Sequence, residues 1–131
     1  MISTKSLLVR NIFLLAAVAW TLFITYACLT AAANIPKAAW LNFEHKDKIV
    51  HFTFYLVFTL LWVLDLKKVK NFSPKKARLF VFVIAVIFGV IIEICQGMFT
   101  VERSPDALDV LANTSGSAAA ILMLWFFDKK K

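Results

Sequence analysis

The chain has 131 residues, 61% of them hydrophobic and 13 of them Phe, with a net charge of +7. A soluble domain of this length has too little interior to bury that much apolar surface, so an ordinary water-soluble globule is excluded. Nucleic-acid binding is excluded as the source of the basic charge, because the cations stand at the ends of apolar runs and leave no separate basic domain.

Charge-free runs place the elements. Residues 11–36 carry no charge, 49–64 none with His51 neutral, 79–101 only Glu93, and 110–127 none. A helix needs roughly 20 apolar residues to cross the hydrocarbon core. The chain therefore reads as all-α, a four-helix transmembrane bundle with helices at about 8–29, 49–66, 79–98 and 108–127, forming a single domain over 1–131. The first helix follows Lys5 and Arg10, and Ala31-Ala32-Ala33 resembles a signal cleavage site. Its apolar run exceeds the ~7–15 residues of a cleavable segment, so it is read as retained. The second helix is short, which predicts that Lys48, Lys67 and Lys68 snorkel from its ends. The fourth follows Ser104-Pro105, which reads as an N-cap and first helical residue, with Asp106 in the first turn. Cys28 and Cys95 read as two buried thiols, a disulfide being geometrically possible, and their spacing suits no zinc or iron–sulfur centre.

Charge sets the orientation. Lys5, Arg10, Lys67, Lys68, Lys70, Lys75, Lys76, Arg78, Lys129, Lys130 and Lys131 fall on one side, with only Asp65 and Asp128 against them. Lys37, Lys46, Lys48 and Arg103 fall on the other, against Glu44, Asp47, Glu93, Glu102, Asp106 and Asp109. The positive-inside rule then places both termini in the cytoplasm. The basic side is expected to meet anionic lipid headgroups.

The opposite side collects polar residues from three segments. Asp47, Lys48, His51 and Tyr55 share a stripe of the second helix, and Glu93 and Gln96 stand three apart on the third. Glu102, Arg103 and Asp106 lie in the loop, followed by Asp109, Asn113 and Gly116 on the fourth helix. Several have plain readings: Asp47, Lys48, Glu102 and Asp106 as interfacial charges or caps, Tyr55 as a packing aromatic, Gly116 as a point of close helix approach. Glu93 is harder to set aside. It lies roughly 6–9 Å below the helix end at 1.5 Å per residue, and an unpaired carboxylate there costs about 2.5 kcal/mol or more. His51 and Arg103 are its expected partners.

The pattern Asp47-Lys48-x-x-His51-x-x-x-Tyr55, Glu93-x-x-Gln96 and Arg103-x-x-Asp106-x-x-Asp109-x-x-x-Asn113-x-x-Gly116 resembles that of the VanZ-like family of small membrane proteins, over about residues 40–120. The namesake is linked to low-level resistance to teicoplanin, which acts on peptidoglycan precursors outside Gram-positive cells. The resemblance implies a multi-pass protein of the bacterial cytoplasmic membrane.

Three functions compete. The first is a non-enzymatic envelope protein whose outer-leaflet pocket binds a lipid, a lipid-linked precursor or a glycopeptide. Lys48 and Arg103 would hold its anionic group, and Asp47, His51, Tyr55, Glu93, Gln96, Asp106, Asp109 and Asn113 would complete the site. The second is an intramembrane hydrolase or transferase using His51 with Glu93 or Asp109. A divalent-metal site from His51, Glu93, Asp106 and Asp109 is conceivable there, although the leading reading assigns no metal and no cofactor. The third is a carrier, which needs polar groups across the whole membrane depth, whereas Phe58, Leu60, Leu61, Trp62 and Phe80–Val83 are apolar. An oligomer is compatible with all three.

Overall fold

The computed structural model describes residues 3–30, 44–101 and 104–131. These form five helices in chain order: α1 (Thr4–Arg10), α2 (Ile12–Leu29), α3 (Lys46–Lys68), α4 (Pro74–Phe99) and α5 (Ala107–Lys129). The last four are long and apolar enough to cross a membrane. The fold is thus the expected all-helical one, with differences at the ends. The first expected helix is divided at Asn11, whose φ of −99° and ψ of 10° interrupt helical geometry between α1 and α2. The second is longer than read: α3 has 23 residues. Charged Lys46, Asp47 and Lys48 continue the helix past the apolar run, so apolarity alone underestimates its length.

Local sequence explains the other boundaries. Asn71 adopts φ 56° in the turn between α3 and α4, a left-handed conformation that Asn accepts readily. Ser73 then caps α4 through Lys76 N at 3.3 Å, with Pro74 at the first helical position. The start of α5 corrects the sequence reading. Asp106, not Ser104, is its N-cap, and its side chain accepts from Leu108 N at 2.8 Å. A carboxylate also complements the positive helix terminus.

The bundle is built around α3, which packs most extensively on α5 and also contacts α2 and α4. Ile24, Tyr55, Phe58, Val63, Val81, Ala85, Ile92 and Leu124 are buried among its core residues. Phe58 and Phe88 stack with ring centroids 5.4 Å apart. Outward positions are apolar as well, including Leu22, Phe23, Leu79, Ile87, Ile91, Leu111 and Phe126. Such a two-sided apolar helix suits lipid outside and protein inside.

The α3–α5 seam is close and partly polar. A Cβ at Gly116 would lie 2.1 Å from Phe52 O, so only glycine permits this backbone approach. Thr59 Oγ1 donates to Ser117 Oγ at 2.9 Å, lower in the same seam. Trp20 Nε1 donates to Phe54 O at 2.9 Å and fastens α2 to α3. At the basic end, Asp128 on α5 joins Lys67 on α3 at 2.5 Å and also pairs with Arg78 on α4. Lys67, read as snorkelling, is therefore tied within the bundle. Cys28 is buried, Cys95 is half-buried, and no disulfide links the two.

Candidate functional site

The opposite end of the bundle gathers the first turns of α3 and α5 and the last turns of α4. A pocket of about 470 Å³ opens there, lined by Asp47, His51, Gln96, Ser104, Pro105, Asp106 and Asp109.

Lys48, outside this lining, ties together three of its carboxylates. Its ammonium bonds Asp47 at 3.1 Å, Asp106 at 2.5 Å and Asp109. Asp47 is exposed, Asp106 half-exposed and Asp109 buried. The Lys48 hydrogen bond holds the Asp106 carboxyl below the usual carboxylate range. Helix geometry explains the convergence: Lys48 is in the first turn of α3, and Asp106 and Asp109 are the cap and first turn of α5.

Below this, His51 is 5% exposed and Asn113 is 1% exposed. His51 Nδ1 lies 3.0 Å from Asn113 Oδ1. An amide oxygen only accepts, so in this arrangement the proton is on Nδ1. Nε2 faces Asp109 Oδ2 at 3.5 Å, an ion pair when His51 carries both ring protons. Asp109 thus divides its oxygens, Oδ1 toward Lys48 and Oδ2 toward His51.

Glu93 stands behind the pocket wall, 3% exposed. Its Oε2 accepts from the backbone N–H of Asp106 at 3.1 Å, while Oε1 has no hydrogen-bond partner among the described residues. One ligand-type atom from each of His51, Glu93 and Asp109 lies within 4.8 Å of the others. The expected partnership of Glu93 with Arg103 falls outside the described residues, as does Glu102.

Other residues named from sequence hold the frame. Gln96 Nε2 donates to Cys28 O at 2.8 Å, tying α4 to α2 at the pocket edge. Tyr55 is fully buried beneath the polar layer beside Phe58 and Phe88, and its hydroxyl lacks a hydrogen-bond partner among the described residues. It lies outside the pocket lining. Three features escaped the sequence reading: Ser104 and Pro105 as wall residues, the Asp106 main-chain N–H as the donor to Glu93, and Gly97 as the notch receiving Pro105. A Cβ at Gly97 would stand 2.4 Å from Pro105 Cγ. A glycine eight residues before a proline in a helix–loop–helix connection is the only signal that could have suggested this packing.

Four spanning helices and a polar pocket at one end define a multi-pass membrane protein with a small recessed site. The chain belongs to the VanZ/LLP1 family, whose model matches residues 2–128. The match extends beyond the 40–120 region that carries the sequence resemblance and includes the first helix. No curated protein and no solved structure matches the chain.

Proposed function

We propose that the pocket binds the polar head of a membrane lipid or lipid-linked envelope precursor at the non-cytoplasmic leaflet of the bacterial cytoplasmic membrane, without catalysing a reaction. The observation that carries this reading is a pocket of about 470 Å³ with charged walls, set at the end of an otherwise apolar bundle. Polar groups at that depth are costly and concentrate at functional sites. The proposed orientation, both termini cytoplasmic, follows from the basic residues at the opposite end.

The geometry alters the role of Lys48. Three carboxylates occupy its ammonium, so it balances charge and fixes the pocket wall instead of offering a free cation. Asp47, Asp106 and Asp109 present acceptors to hydroxyl or ammonium groups of a head. Resistance of the teicoplanin type comes to this chain only through its family. A shift in teicoplanin sensitivity on deletion in the native host would support that extension.

Lipid-resolved mass spectrometry of the detergent-purified full chain tests the binding reading. A distinct lipid enriched over the bulk membrane, and lost in Ser104→Trp, is expected. Bulk lipids in membrane proportion, unchanged by Ser104→Trp, would contradict it. A second reading is favoured by the His51–Asp109 pair at 3.5 Å: a hydrolase or transferase acting on a lipid-linked substrate, with His51 as general base. Turnover of lipid phosphates by purified protein, abolished in His51→Ala, would replace the binding reading with this one.

A further inference from the structure

We propose that His51, Glu93 and Asp109 form a site for a divalent cation of the zinc or manganese class, and that this cation lets the acidic pocket accept a phosphate-bearing head. The second half of this proposal rests on the headgroup reading above; the first does not.

Each of the three side chains keeps one ligand-type atom beyond its fixed contact. His51 uses Nδ1 toward Asn113 Oδ1 at 3.0 Å, leaving Nε2. Asp109 uses Oδ1 on Lys48, leaving Oδ2. Glu93 uses Oε2 on the Asp106 N–H at 3.1 Å, leaving Oε1 without a hydrogen-bond partner among the described residues. One donor is fixed by a neighbour and the other is spare in all three, as in metal sites whose outer hydrogen bonds orient the ligands.

With His51 neutral, the spare atoms are all acceptors. His51 Nε2 and Asp109 Oδ2 face each other at 3.5 Å, as an ion pair when His51 is protonated and as two ligand atoms when it is neutral. Glu93 adds a carboxylate that is 3% exposed and has no cation on it among the described residues. With His51 neutral, two lone pairs and a buried charge converging on one point are unfavourable unless a cation lies between them. Donors about 2.1 Å from a tetrahedral ion stand roughly 3.4 Å apart. The His51–Asp109 separation of 3.5 Å already meets this. The set as a whole, within 4.8 Å, requires only a small closure.

Donor chemistry selects the ion. One imidazole and two carboxylates suit zinc or manganese better than calcium or magnesium, which favour all-oxygen shells. Three protein ligands leave a coordination position open. His51 and Asp109 both line the pocket, so that position faces it. Without an ion, the pocket's carboxylates repel an anionic head, and Lys48 is already shared among Asp47, Asp106 and Asp109. With one, the pocket holds a cationic centre able to take a phosphate oxygen.

The test uses the full chain in detergent, supplied with Zn²⁺ or with Mn²⁺. Saturable binding of about one ion per chain is expected, with pulsed electron paramagnetic resonance of bound Mn²⁺ showing coupling to an imidazole nitrogen. Glu44→Gln, at the same end but outside the cluster, should bind as the unaltered chain does. His51→Ala and Glu93→Gln should abolish binding, and Asn113→Ala should weaken it by about 10–100-fold. No saturable binding of either ion, or Mn²⁺ without nitrogen coupling, overturns the site. Both are read on the unaltered chain, so neither depends on a variant folding. Mass spectrometry of retained lipid with and without EDTA tests the second half. Loss of a phosphate-bearing lipid on chelation supports it. Retained lipid indifferent to EDTA in an ion-loaded protein contradicts it while leaving the cation site standing.

Discussion

Lys48 in the first turn of α3 and Asp109 in the first turn of α5 form an ion pair that joins the two most closely packed helices of the bundle. The Asp109 side chain is 11% exposed and that of Lys48 20%, so the pair is largely shielded from solvent. The same ammonium reaches Asp47 and Asp106.

Removing this cation leaves the buried Asp109 carboxylate, with half-exposed Asp106 beside it, unbalanced. Lys48→Met should lower thermal stability in detergent by about 1–3 kcal/mol, less than the ~3–5 kcal/mol of a fully buried pair because one side stays wet. Asp47→Ala removes only an exposed partner and should change stability by less than about 1 kcal/mol. Thermal unfolding of the two variants side by side checks the difference. Equal effects would mean that Lys48 does not organise the cluster.

Gly116 is the second sensitive point. A Cβ there meets Phe52 O at 2.1 Å, and a carbonyl on a helix backbone cannot swing aside. Gly116→Ala should therefore separate α3 from α5 and cost about 1–3 kcal/mol. A Cβ at Gly89 would meet the Asn113 amide nitrogen at 3.1 Å, a side-chain contact that can give way. Gly89→Ala should be milder. Thermal unfolding of both variants would rank them, and the opposite order would contradict the close α3–α5 approach at Gly116.

At the other end, Asp128 joins three helices through Lys67 and Arg78. Asp128→Asn should destabilise the chain by about 1–2 kcal/mol and leave two cations seeking other anions. Vesicles containing anionic lipid should then recover more stability in the variant than in the unaltered chain. Equal behaviour in neutral and anionic vesicles would separate these cations from the lipid surface.

Reporter fusions test the orientation. A fusion after Lys131 should report from the cytoplasm, and one in the segment between α4 and α5 from the opposite side. An external signal at Lys131 would reverse the membrane placement of the pocket.

The spans were legible because apolar runs persist for a whole membrane thickness and charge interrupts them only at their ends. The stripe Lys48–His51–Tyr55 was legible because helical spacing alone puts those residues on one face. What occupies that face was not. Lys48 was read as an anion holder, but α5 enters with Asp106 and Asp109 against it, and helix rotation depends on packing that periodicity does not encode. The Gly116–Phe52 contact is equally silent, since it joins a side-chain-free position to a distant carbonyl. The Ser104-Pro105 start was misread because Asp106 offers the Leu108 N–H an acceptor at 2.8 Å two residues later. Glu93 stood out by depth, yet its acceptor role toward the Asp106 main chain depends on how the loop folds back.

Photo-crosslinking in living cells tests ligand binding at the pocket most directly. A photoreactive residue placed at Ser104 on the pocket wall is compared with one at Phe127, exposed at the opposite end. Mass spectrometry of the adducts should find a distinct polar lipid or lipid-linked precursor on residue 104 that is absent from residue 127. The same bulk phospholipids on both, in the same proportions, would contradict a ligand-binding role for the pocket.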